Sequence, residues 1–265
     1  MELSSTGFRR QMRMQGEVIH KWFENLSSEN LTEIIPDIEA AKYTYVFSAD
    51  MIKGFCKKGN LASPRVDAIS KPVAELLAKM HGAGVENFVL VQEWHDPAAK
   101  EFEAFPEHGI AGTEEAQTIP ELTELPFFDK FIIFPKNALT PAWSCRDKRY
   151  EPSPYTHPIY PGGMEPVFGE SFDEYLAAQD MRIAVIVGNC TDLCVRELAM
   201  HLRMWANQHQ KDMRVIIPEN CVQTFDLPID VAEEIGAMPH LGDIHHVWAL
   251  YEMARNKIEV VKEIV

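Results

Sequence analysis

Apolar runs of strand length recur along this chain, separated by stretches with helical periodicity, and that alternation leaves few folds open. Tyr43-Thr44-Tyr45-Val46-Phe47-Ser48-Ala49 reads as a buried strand. Ile69, Val73, Leu76, Leu77 and Met80 then share one helical face, and Gly82-Ala83-Gly84 supplies a stop. Phe88-Val89-Leu90-Val91-Gln92 follows as a second strand, Phe131-Ile132-Ile133-Phe134 as a third, Ile183 to Val187 as a fourth and Met213 to Ile217 as a fifth. Leu198, Leu202 and Trp205 lie at helical spacing between the last two. Strands alternating with helices build right-handed βαβ units around a parallel sheet, so the pattern predicts an α/β fold of three layers, αβα, with a central, mostly parallel sheet.

The flanks are less regular. Thr6 to Leu26 reads as a helix with Met12, Val18, Trp22 and Phe23 on a partly apolar face, suited to covering the fold or meeting another subunit. A short helix is expected over Asp230 to Ile235, and one long terminal helix over Asp243 to Ile264, carrying Trp248, Tyr251 and Ile258. Trp143 to Phe168 is rich in tyrosine and proline and contains Gly162-Gly163, which fits either a lid or an inert surface insertion. No linker of biased composition divides the chain. It is read as one domain over residues 1–265, with a helical extension over about 1–40 and an insertion over about 143–169.

Charge and cysteine usage narrow the function classes. With 25 basic and 40 acidic residues the formal charge is −15, which disfavours a nucleic-acid partner and leaves small molecules or proteins. The longest apolar runs are strand-sized and Met1-Glu2-Leu3-Ser4-Ser5 begins no secretory signal, so a soluble protein without a membrane partner is expected. Five scattered cysteines make no disulfide framework, which fits reduced thiols in the cytoplasm.

In an open parallel sheet, ligand-binding groups gather beyond the carboxyl ends of the strands. Asp50, Glu93, Lys136 and Cys194 all follow strand-like runs. Cys194 stands at the end of Val187-Gly188-Asn189-Cys190-Thr191-Asp192-Leu193, where a strand turns sharply into a helix. The helix N-terminus favours a thiolate, and backbone amides of the turn suit a developing oxyanion. A Cys190–Cys194 metal pair is the alternative, but Gly188 and Asp192 suit a strand-to-helix elbow better. Asp50 is placed to take the thiol proton and return it to a leaving amine, and Lys136 to stabilise the thiolate; a plain surface ion pair is the competing reading.

Glu93, His95 and His108 form a second group. Glu93 and His95 alternate along a strand end and point to one side, and His108 returns from the loop after Phe105-Pro106-Glu107. One carboxylate and two imidazoles suit zinc, iron or manganese, with ordinary loop roles as the alternative. Phe55, Trp94, Phe102 and Phe105 are candidate walls for a flat ring, or simply core anchors. His240, His245 and His246 are assigned to packing or surface.

Taken together, Phe47-Ser48-Ala49-Asp50, Gln92-Glu93-Trp94-His95, Phe105-Pro106-Glu107-His108, Phe134-Pro135-Lys136 and Gly188 to Val195 resemble the isochorismatase-like cysteine hydrolase superfamily, and within it the nicotinamidases. The resemblance spans roughly Tyr43 to Phe225. It implies the isochorismatase-like fold, with Asp50, Lys136 and Cys194 as catalytic acid/base, activating lysine and nucleophile. It further implies a cis Asn189–Cys190 bond, an oxyanion hole from the Cys190 and Cys194 N–H groups, a ring held between Phe55 and Phe105, and a homo-oligomer. Glu93, His95 and His108 match the divalent-metal set, with zinc the first expectation. Two departures stand out: Glu93 replaces the usual aspartate, and no further histidine lies near Ala99 and Lys100. The expected activity is hydrolysis of nicotinamide or a related small cyclic amide to its acid and ammonia. A ureido or N-carbamoyl hydrolase is the alternative, as is a non-catalytic binding or scaffold protein. An isochorismatase-type ether hydrolase is disfavoured because that branch usually lacks the cysteine.

Overall fold

The computed structural model describes residues 5–147 and 168–265. Its main sheet contains β1 (Thr44–Ala49), β2 (Asn87–Glu93) and β3 (Ile132–Lys136). A small hairpin follows from β4 (Cys145–Asp147) and β5 (Phe168–Ser171), and the main sheet resumes with β6 (Ile183–Asn189), β7 (Arg214–Pro218), β8 (Val222–Gln223) and β9 (Glu259–Val261). The order across the sheet is β3-β2-β1-β6-β7-β9, with β8 paired to the end of β6, and every pairing within it is parallel. This is the expected three-layer α/β architecture.

Strand alternation divides the core between two faces. Val46, Phe88, Leu90, Val185 and Val187 point one way, onto Val73, Leu76, Leu77 and Met80 of the helix Ser70–Gly82. Phe47, Val89, Val91, Ala184 and Ile186 point the other way, onto Leu198 and Leu202 of Cys194–Gln208 and Leu250 and Met253 of Gly242–Arg255. Burying β-branched and aromatic side chains on both faces is what allows an all-parallel sheet.

The chain runs outward from β1 through β2 to β3, then returns to place β6 on the other side of β1. That reversal opens a crevice between the carboxyl ends of β1 and β6, the position where open α/β sheets bind ligands. Close approach there requires glycine. Gly188 has φ 115°, and a Cβ would collide with the Ala49 carbonyl oxygen.

Two expectations about the flanks change, and a third falls mostly outside the described residues. The predicted terminal helix stops at Arg255; Lys257 has φ 65°, and Glu259–Val261 becomes the edge strand β9 beside β7. Val260 and Val261 pair there with Ile217 and Pro218 of β7, a place that suits their β-branched side chains. The N-terminal helix is Ser5–Glu24, but Ile19 is its buried residue while Met12 and Val18 are exposed. Most of the predicted 143–169 insertion lies outside the described residues; its flanks, β4 and β5, pair antiparallel, Cys145 opposite Ser171. Among the described residues no helix is long and apolar enough to cross a membrane.

Candidate active site

Four neighbouring strand ends bring the predicted groups together. Glu93 and Lys136 are the last residues of β2 and β3 and are register partners, while Asp50 follows β1 directly and Cys194 opens the helix after β6. All four are buried.

Asp50 is fixed from three sides. Its N–H donates to the Val91 carbonyl at 2.9 Å, its carbonyl accepts from Asn189 Nδ2 at 2.7 Å, and its Oδ1 accepts from the Glu93 N–H at 2.6 Å. These bonds hold the residue in the left-handed region, φ 49°, and leave Oδ2 directed at Lys136 Nζ, 2.9 Å away. The same ammonium reaches Glu93 Oε1 at 3.0 Å and Cys194 Sγ at 3.5 Å, and Glu93 Oε1 lies 3.4 Å from that sulfur. This is no surface ion pair: one buried ammonium sits among two carboxylates and a thiol.

Electrostatics set the resting protonation. Burial pushes Asp50 up to about 6, against the pull of Lys136 and reinforced by the charge on Glu93. Burial likewise drives the Cys194 thiol well above its ordinary value; Lys136 opposes this, and Asp50 and Glu93 add to it. Burial opposes the Lys136 ammonium, but Asp50, Cys194 and Glu93 outweigh it and hold its pKa well above normal. With the thiol raised in this way, a base must take its proton during attack.

The turn before Cys194 carries the Asn189–Cys190 cis peptide. Thr191 N–H donates to Gln223 O, and the N–H groups of Leu193 and Val195 to Cys190 O. Among the described residues, those of Cys190 and Cys194 take no part in this backbone network. Asp192 anchors the elbow from outside, its Oδ2 lying 2.8 Å from His240 Nε2, and His246 Nδ1 meets Thr191 Oγ1 at 2.8 Å.

Beside the thiol lies the second cluster. Glu93 Oε2 is 3.3 Å from His95 Nε2 and 3.0 Å from His108 Nε2. The far ring nitrogens are occupied: His108 Nδ1 is 2.6 Å from the Pro106 carbonyl and His95 Nδ1 is 3.2 Å from Asn137 Oδ1, which also accepts the Asp96 N–H. Those acceptors fix the proton on Nδ1 in each ring and turn the Nε2 lone pairs inward, the arrangement of metal-ligating histidines. Glu93 Oε2, His95 Nε2 and Glu101 Oε1 are buried without a hydrogen-bond partner. Glu101, one residue beyond the Ala99-Lys100 stretch that lacks the further histidine, carries no ligand signal in the sequence. Its Oε1 lies 3.9 Å from His95 Nε2, making a four-residue group that fits a divalent cation.

An apolar cavity opens onto Cys194, walled by Phe55, Phe105, Leu139, Leu193 and Phe225. Phe55 and Phe105 are part of this wall. Trp94 is not: strand alternation turns it away from Glu93 and His95, toward a separate small cavity with Ala116, Thr118 and Pro135. Phe102 instead packs edge-on against His95. Leu139, Leu193 and Phe225, on three loops distant in sequence, gave no signal.

No protein-family model matches the chain. Nicotinamidase 1 of Arabidopsis thaliana is 28% identical over 224 residues, 81% of this chain and 84% of that protein. Among solved structures, an isochorismatase-like hydrolase from Alkaliphilus metalliredigens aligns with a TM-score of 0.55 at 19% identity, covering 83% of this chain and 94% of that one. The chain therefore shares the isochorismatase-like hydrolase fold. A zinc complex of the pyrazinamidase of Pyrococcus horikoshii gives 0.54 at 20% identity, covering 83% and 99%. The N-carbamoylsarcosine amidase of Thermoplasma acidophilum gives 0.54 at 19%, covering 83% and 95%. Within this fold, a buried thiol grouped with Asp50 and Glu93 is the arrangement typical of cysteine hydrolases acting on carbon–nitrogen bonds.

Proposed function

We propose that this protein hydrolyses the carboxamide of nicotinamide, or of a related small cyclic amide, through a Cys194 thioester that releases ammonia. The observation that carries the reading is the buried Asp50–Lys136–Cys194 contact set beside an apolar cavity and a convergent Glu93, His95 and His108.

Asp50 takes the thiol proton as Cys194 Sγ attacks the amide carbon. Lys136 holds the Asp50 carboxylate and faces the developing thiolate. The Cys190 and Cys194 N–H groups receive the negative charge that forms on the carbonyl oxygen. Collapse breaks the carbon–nitrogen bond, and Asp50 returns its proton to the departing ammonia. Water, deprotonated by Asp50, then attacks the thioester; the acid leaves and the proton goes back to sulfur. Phe55 and Phe105 flank a flat ring. Glu93, His95 and His108, with Glu101 beside them, would hold a divalent cation, zinc first and iron or manganese next. Bound there, it supplies Lewis acidity toward a ring nitrogen or water.

A second reading, an N-carbamoyl or ureido compound hydrolase, uses the same thioester chemistry. It is favoured by Glu93, whose extra methylene lets Oε1 face Lys136 and Cys194, so that only Oε2 serves the cation set. The buried free thiols of Cys56, Cys190, Cys194 and Cys221 suit a reducing, cytoplasmic setting. Ammonia release should be measured on nicotinamide, pyrazinamide and ureido compounds, with zinc, iron or manganese added. Turnover of nicotinamide that is lost in Cys194→Ala supports the first reading; ureido turnover alone reverses the order. Silence on every substrate favours a non-catalytic binding protein.

A further inference from the structure

Phe225, one wall of the Cys194 cavity, is backed by an imidazole that lies outside that cavity. His240 stacks on it with ring centroids 3.9 Å apart and planes 15° from parallel. The same imidazole reaches two acceptors. Its Nδ1 lies 3.0 Å from the Phe225 carbonyl oxygen, and its Nε2 lies 2.8 Å from Asp192 Oδ2. One side chain thus touches both the cavity wall and the turn between Cys190 and Cys194.

The chain around His240 is built to hold it there. Leu227 N–H donates to the His240 carbonyl at 2.7 Å, and His240 N–H to the Leu227 carbonyl at 2.9 Å. Two residues on, the Gly242 N–H donates to Asp226 Oδ1 at 2.7 Å, and a Cβ on Gly242 would stand 2.7 Å from the Phe225 carbonyl oxygen. That close approach requires glycine. His245 covers the other face of His240, with centroids 4.0 Å apart and planes 12° from parallel. Both faces and both nitrogens of His240 are therefore engaged. Its hold on the turn is also electrostatic: burial opposes the Asp192 carboxylate, and His240, first among the groups that outweigh it, holds that carboxyl below its ordinary value.

Resting on the thioester reading of this site, we propose that His240 is a positioning residue with two separable duties. Its face fixes Phe225 against a flat substrate ring. Its edge fixes Asp192, and with it the turn whose Cys190 and Cys194 N–H groups meet the oxyanion. Loss of the first duty weakens binding, and loss of the second slows the chemical step.

Two substitutions separate the duties. His240→Ala removes both, so KM for nicotinamide should rise about 2-fold to 10-fold and kcat should fall about tenfold to a hundredfold. His240→Phe keeps a ring on Phe225 but reaches neither acceptor, so KM should return to the wild-type value while kcat stays low. A second readout needs no turnover. In pyridine-3-carbaldehyde the Cys194 sulfur bonds to the carbonyl carbon, the carbonyl π bond breaks, and the oxygen takes the thiol proton, giving a hemithioacetal with that oxygen in the oxyanion position. Its dissociation constant, followed by loss of carbonyl absorbance, should rise about tenfold in His240→Phe. 3-Methylpyridine has no carbonyl; measured by competition with the aldehyde, it should bind more weakly to His240→Ala and as tightly as before to His240→Phe.

If these two probes separate as described while nicotinamide is not turned over, the amidase reading fails and the positioning role stands. A wild-type protein that forms no adduct overturns the role, as does a folded His240→Ala with every constant unchanged. Constants that move together in His240→Phe overturn it as well. Thermal unfolding checks both variants; if neither folds, His240 serves the core alone and the proposal falls.

Discussion

Replacing Lys136 by methionine keeps most of the side-chain volume and removes the one positive charge among Asp50, Glu93 and Cys194. In the native site Asp50 is pushed up to about 6. At pH 7 such a carboxyl is about nine-tenths ionised and able to act as a base. An opposite charge at contact distance is worth about one to three pH units to a carboxylate. Without it the ionised fraction at pH 7 falls to between about one-half and one-hundredth. The sign is fixed: Asp50 must be ionised to take the thiol proton, so activity is lost as pH falls, and the variant loses it at higher pH than the native protein. Protonation alone then lowers kcat/KM at pH 7 by about 2-fold to 100-fold, and the rate recovers toward pH 9. Loss of the buried ion pair also costs stability, about 3–5 kcal/mol before proton uptake by Asp50 relieves part of it. The assay is ammonia release against pH for both proteins, with thermal unfolding as the control for folding. An acid limb at the same pH in both would refute the claim that Lys136 sets the ionisation of Asp50.

Two further substitutions probe the metal set and the backbone. His108→Ala removes one inward-facing Nε2 and should lower bound metal at least about tenfold at limiting concentration; metal content unchanged by elemental analysis would exclude His108 from the ligand set. Gly188→Ala places a Cβ against the Ala49 carbonyl at φ 115° and should destabilise the fold by at least about 1–3 kcal/mol. An unshifted thermal midpoint would show that β1 and β6 can separate there at no cost.

Much of this molecule is legible along the chain because period and composition are local properties. Val46, Phe88 and Val185 announce buried strands through their neighbours alone, and Val73, Leu77 and Met80 announce a helix face. Asp50, Glu93, Lys136 and Cys194 were identifiable because a parallel sheet carries the residue after each strand to the same rim. The terminal segment failed for the opposite reason. Ile258, Val260 and Val261 suit a helix or a strand until the free edge of β7 is there to pair with them.

What the sequence determined, then, is the set of reactive groups and the sheet edge on which they stand. What only the tertiary structure decided is how they act on one another. Glu93 lies between Lys136 and the two histidines, Glu101 completes the cluster from a loop, and Trp94 faces away. Burial, with Asp50 and Glu93, raises the Cys194 thiol even though it opens a helix. A charge's worth depends on the water removed around it and on neighbours a few ångströms away, and neither is set by the residues adjacent in the chain.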